Sequence, residues 1–113
     1  MTSTMTQADA EKVLDWMRDT APEIGLAISN KTVMEQRIKT VKATIMMDQI
    51  GMSNAAAETV ALASQTYADA LEAYRQAVEQ AETLRFLFSA AQAKFEFWRS
   101  MEASRRAEGK AVS

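Results

Sequence analysis

Residues 67–98, YADALEAYRQAVEQAETLRFLFSAAQAKFEFW, decide the fold. They contain neither glycine nor proline, and Tyr67, Ala70, Tyr74, Ala77, Ala81, Leu84, Phe88, Ala91, Phe95 and Trp98 follow one another in steps of three and four. A 3.5-residue period keeps one seam turned toward a neighbouring helix as left-handed packing winds it. Toward the N-terminus, Ala56, Val60 and Ala63 extend the same beat, and neither glycine nor proline occurs from Ala55 to Arg106. One very long helix is therefore expected over 55–106. Alanine on the seam permits close backbone approach, so packing should tighten toward the start of this helix and widen where leucine, phenylalanine and tryptophan take over. Leu71, Val78, Phe86, Leu87 and Phe97 add flanking apolar surface, more than a two-stranded seam needs.

Upstream, Ile50-Gly51-Met52-Ser53-Asn54 reads as a helical hairpin turn, with Gly51 suited to a helix end and Ser53 or Asn54 to the next N-cap. A second helix is expected from Pro22 to Gln49, with Met34, Ile38, Val41 and Ile45 as its seam and a weak point at Gly25, Ser29 and Asn30. Thr20-Ala-Pro-Glu23 looks like the stop of one helix and the capped start of the next. Before it, Thr6 and Asp9 form a capping pair for a short helix over 7–19, apolar at Ala10, Val13, Leu14 and Met17, with Trp16 off the stripe as a contact residue. The expected fold class is all-α: a short N-terminal helix plus a long helical hairpin with a very long C-terminal helix, packed like a coiled coil. It forms a single helical domain over 1–113, frayed at 1–5 and 109–113.

Length then bears on assembly. About 52 helical residues reach roughly 78 Å, whereas a partner of about 28 residues reaches ~42 Å. On this reading Leu84, Phe88, Ala91, Phe95 and Trp98 stay uncovered and form the interface of a homo-oligomer. The competing solution is a break near Ser64-Gln65-Thr66 that folds the chain into a compact four-helix bundle.

The chain has 113 residues, three glycines, one proline, no cysteine and no histidine, which removes disulfides, thiolate metal sites and the commonest general base. No glycine-rich phosphate loop or nucleophile elbow occurs, and carboxylate pairs such as Glu79 with Glu82 or Asp69 with Glu72 suit surface solvation. The expectation is a non-enzyme without cofactor or metal. No apolar run approaches the ~18 residues of a membrane span, and 1–10 lacks the features of a signal peptide, so a cytoplasmic location without membrane contact is expected. Net charge is −2, but 30–50 and 93–113 are net positive while 1–29 and 51–92 are acidic. That sorting suits either solvated helix faces or a footprint for an acidic partner.

Two basic stretches carry the second reading. Lys94, Arg99, Arg105 and Arg106 interleave with Phe95, Phe97 and Trp98 near the C-terminus, and Lys31, Lys39 and Lys42 form a stripe interrupted by Glu35. Cations beside stacking rings suit single-stranded nucleic acid, with phosphates on the cations and bases on the aromatic faces. The bland alternative is that Phe95 and Trp98 are seam residues and the arginines complement a helix C-terminus. Methionines 34, 46, 47, 52 and 101 suit either an adaptable binding surface or a helical core.

The tail from Phe97 to Gly109, FWRSMEASRRAEG, following YRQAVEQAETL at 74–84, resembles small helical proteins of tailed phages associated with recombination modules. Over 25–106 the order of elements is also similar to the UvsY-type recombination mediators of T-even phages. The resemblance implies a ring-forming accessory protein in a bacterial host cell that loads a recombinase or annealing protein onto single-stranded DNA, including DNA coated with single-strand-binding protein. Weak basic sites would sum by multivalency. The rival expectation is an oligomeric helical adaptor or host inhibitor acting only through protein–protein contacts.

Overall fold

The structure, a computed structural model, describes residues 5–112. It contains α1 (Gln7–Met47), α2 (Asn54–Leu62) and α3 (Gln65–Val112), with no strand among the described residues, so the all-α helical hairpin stands. The chain groups into two compact units, one formed by α1 up to Ile24 with α3 from Leu84, the other by Gly25–Thr83. Of the ends expected to fray, 1–4 and 113 lie outside the described residues, and α3 extends through Val112.

The expected stop at Thr20–Glu23 is overturned: α1 runs through Pro22 as one helix of 41 residues. It opens on the expected cap, with the Thr6 hydroxyl accepting the Asp9 N–H at 3.1 Å and the Asp9 carboxylate accepting the Thr6 N–H at 3.0 Å. The reason for continuity lies in packing. The covered residues of α1 include Ala10, Val13, Met17, Thr20, Ile24, Ala27, Lys31, Met34, Ile38, Val41 and Ile45, a beat of threes and fours that crosses the proline without a slip. Pro22 falls roughly opposite this seam and is exposed, so its ring and missing N–H sit on the solvent side, away from the packed face. Seam contacts on both sides hold the helix through a residue that in isolation costs about 3 kcal/mol.

In Gly25–Thr83, α1 ends at Met47 and the chain turns through Gly51, whose φ of +82° only glycine adopts without strain. The Met52 N–H closes this turn on the Gln49 carbonyl at 3.5 Å, and Ser53 caps α2 by accepting the Ala56 N–H at 3.2 Å. The uninterrupted helix expected over 55–106 is overturned next. The Ser64 hydroxyl donates to the Ala61 carbonyl at 2.7 Å and accepts the Tyr67 N–H at 3.1 Å, ending α2 and capping α3 in one residue. The break therefore falls where the competing solution put it, yet α3 then continues unbroken for 48 residues, so no four-helix bundle results.

Two ion pairs fit that break. Lys42 pairs with Glu58 at 3.0 Å and Lys31 with Glu82 at 3.4 Å. The two lysines lie ~16 Å apart along α1, whereas the two glutamates would lie ~36 Å apart on one straight helix. A collinear α2 and α3 could not satisfy both. The break also shifts the seam: Ala57 and Ala61 are buried where Ala56, Val60 and Ala63 were expected, and those three are exposed. From Tyr67 onward the expected rungs are the covered ones, with Ala70, Ala77 and Ala81 buried and Tyr67 and Tyr74 half-buried.

In the other unit, Leu84, Phe88, Ala91, Phe95 and Trp98 are half-buried. They do not stay bare as expected: at 41 residues α1 supplies the cover that a helix starting at Pro22 lacks.

Ala81 is wholly buried, and a larger side chain there must push the helices apart. Ala81→Leu should lower stability by about 1–3 kcal/mol in urea unfolding, whereas Ala68→Leu, at an exposed position, should change it little.

Candidate functional site

Helix α1 positions the basic stripe Lys31, Lys39 and Lys42 within Gly25–Thr83. Lys31 takes a seam position, its stem against α3 and its ammonium on Glu82; Lys42 reaches Glu58 of α2. Both cations are thereby engaged within the fold, while Lys39 is exposed with no ion pair among the described residues.

The C-terminal candidates lie on α3 in the other unit. Arg99 pairs with Glu96 at 3.4 Å and Arg105 with Glu102 at 3.0 Å, one helical turn back in each case. Pairs this exposed contribute about 0–1 kcal/mol and open readily to a competing anion. Arg106 is exposed. The aromatics divide: Phe95 and Trp98 sit on the seam with ring centroids 5.9 Å apart, while Phe97 is exposed. The Trp98 indole N–H is buried without an acceptor among the described residues, an arrangement that costs about 1–3 kcal/mol. Stacking of bases on Phe95 and Trp98 would require leaving the seam, so of these three rings only Phe97 offers an open face.

Lys94 belongs to a different arrangement, one the sequence pattern did not disclose. Together with Lys12, Val13 and Trp16 of α1 and Leu87, Ala90 and Ala91 of α3 it lines an open apolar groove of about 370 Å³. Trp16, set off the seam, is part of its wall. Lys12 and Lys94 thus share a groove wall with the Trp16 indole, two cations bordering an apolar surface. The hint available in sequence was the off-stripe tryptophan one residue from a continuous seam's edge.

The Glu72–Arg75–Glu79 ladder on α3 is the most tightly paired charge cluster. Arg75 donates twice to Glu72, at 2.7 and 2.9 Å, and once to Glu79 at 2.9 Å, and Gln76 donates to Glu72 at 3.3 Å. The Arg75 hydrogen bonds hold Glu72 down to about 2, and the same bonds raise Arg75 further above its ordinary value. Asp9 is likewise lowered, by the Thr6 backbone N–H and hydroxyl first and by Lys12 and Lys94 last. These are helix-surface devices; no group of three potential metal ligands occurs among the described residues, and no helix is long and apolar enough to cross a membrane.

The outer faces carry the remaining signal. Phe86 is 74% exposed and Phe97 68%, and Leu26, Met47, Ile50 and Met101 are also open to water. Among the described residues no large apolar side chain is fully buried.

Because its folded-state value lies below the ordinary 4.5, Glu72 stabilises the helix fully above that pH, and its contribution fades as pH falls through about 2. Carboxyl NMR titration should find Glu72 near that lower value, and Arg75→Ala should return it toward the ordinary one. Comparison with protein-family models, with curated proteins and with solved structures finds no match to this chain.

Proposed function

We propose that this chain is a non-enzymatic assembly protein, an adaptor that works by packing its helices against sister copies and a helical partner. One observation carries the reading: apolar side chains line a regular seam, yet only alanines among them are fully covered, and further large apolar residues point outward. A helix apolar on more than one face belongs between neighbours. Methionine supports the same use, since Met47, Met52 and Met101 are exposed and methionine conforms to varied partners.

A second reading is the recombination accessory role, in which assembled copies load a recombinase or annealing protein on single-stranded DNA. The groove favours it, because Lys12 and Lys94 flank Trp16 where a phosphate and a base could be held together. Against it stand the pairs of Lys31 with Glu82 and Lys42 with Glu58, which turn two of the candidate cations toward partners within the fold. The first reading accordingly leads.

Sedimentation velocity across a concentration series should show association at about 10–100 µM, the range natural to modest apolar interfaces. A single monomeric boundary throughout contradicts the assembly reading. Anisotropy with a labelled single-stranded oligonucleotide tests the second. If DNA is the ligand, Lys12→Ala with Lys94→Ala should abolish binding, and Arg105→Ala with Arg106→Ala should flatten the salt slope by roughly 0.7 for each phosphate left without its cation. Absence of salt-dependent binding by the unaltered protein rejects that role.

A further inference from the structure

A second face of α3, opposite the seam, carries an apolar pattern of its own. Helical periodicity places Phe86, Ala90, Ala93, Phe97 and Met101 within a sector about 80° wide on α3, opposite the seam of Leu84, Phe88, Ala91 and Phe95. All five are exposed. No charged residue interrupts the sector between Phe86 and Phe97, and the spacing there is four, three, four, with a large ring at each end and two alanines in the middle. This order reads the same in both directions.

We propose that this stripe is an isologous interface through which α3 pairs antiparallel with α3 of a second copy, the assembly reading above being its premise. A two-fold axis crossing the helix between Ala91 and Gln92 sets Phe86 of one copy opposite Phe97 of the other, and Ala90 opposite Ala93. The alanines let the two backbones approach, and the rings close the ends. A two-fold contact presents one patch to itself, and this order then sets the alanine pair at the axis with a ring pair on either side. Charge agrees with the direction. Antiparallel pairing sets Lys94 level with a serine, Ser89, and Glu96 level with Leu87, so no like charges meet, whereas parallel pairing brings each charge level with its own counterpart. Phe86, Phe97 and Met101 offer roughly 400 Å² of exposed side chain per copy, so a pair buries at most roughly 800 Å², the size of a weak, reversible contact. A contact of that size is expected to dissociate at tens of micromolar or above.

The test is light scattering after size exclusion at about 100 µM, with helicity followed by circular dichroism. The unaltered protein should run as an assembly. Phe86→Glu with Phe97→Glu should keep its helicity and drop to half that mass or less, and the uncharged Phe86→Gln with Phe97→Gln should weaken association at least ~10-fold. Assembly retained by both variants overturns the stripe and leaves the adaptor reading intact; an unaltered protein that is monomeric removes both. Direction is read by cross-linking, since the chain has no native cysteine. Thr83→Cys and Ser100→Cys chains should cross-link when mixed and not alone, because like positions lie ~25 Å apart in the antiparallel pair. Cross-linking of each alone overturns the antiparallel arrangement.

Discussion

Two packed helices can enclose an alanine but not a phenylalanine, and most of this structure follows from that limit. Burying a side chain completely requires neighbours on every side, which a pair of helices supplies only where the side chain is too short to reach past the interface. Ala27, Ala57, Ala61, Ala70, Ala77 and Ala81 therefore disappear from solvent, while Met34, Ile38, Tyr74, Phe88 and Trp98 are covered on one side alone. Alanine contributes little apolar area, and each half-covered ring delivers a fraction of its ~1.5–3 kcal/mol. The hairpin is specified by its beat and left short of a full core.

That beat was legible in α3 and only half legible in α1. In α3 every rung from Tyr67 to Trp98 is apolar, so nothing conceals the period. In α1 two rungs are polar, Thr20 and Lys31, and the first stands beside Pro22 in a context that reads as a cap. Local chemistry and long-range period disagreed there, and the period prevailed because the proline lies away from the partner helix. At Ser64 the outcome reversed. The alanines at 55–57, 61 and 63 satisfy more than one register, so composition alone could not reveal that the seam moves by a residue, whereas the Ser64 hydroxyl fixes the break with two hydrogen bonds.

The candidate site was legible as a set of charges but not as their partners. Spacing along a helix shows which cations share a column; it does not show that Glu58 and Glu82, distant in sequence, meet Lys42 and Lys31. Nor does it reveal that Lys94 shares a groove with Trp16 and Lys12 on the opposite helix. The exposed Phe86 and Phe97 were visible as surplus apolar surface, and the structure places that surplus opposite the seam.

Apolar surface that one chain leaves open, Phe86 and Phe97 above all, is proposed to be covered by a second chain, and the dependence of unfolding on protein concentration measures this most directly. Association linked to folding raises the midpoint of thermal or urea unfolding as concentration rises. The account predicts a steady upward shift across two decades of concentration, and a midpoint that stays fixed over that range would contradict it.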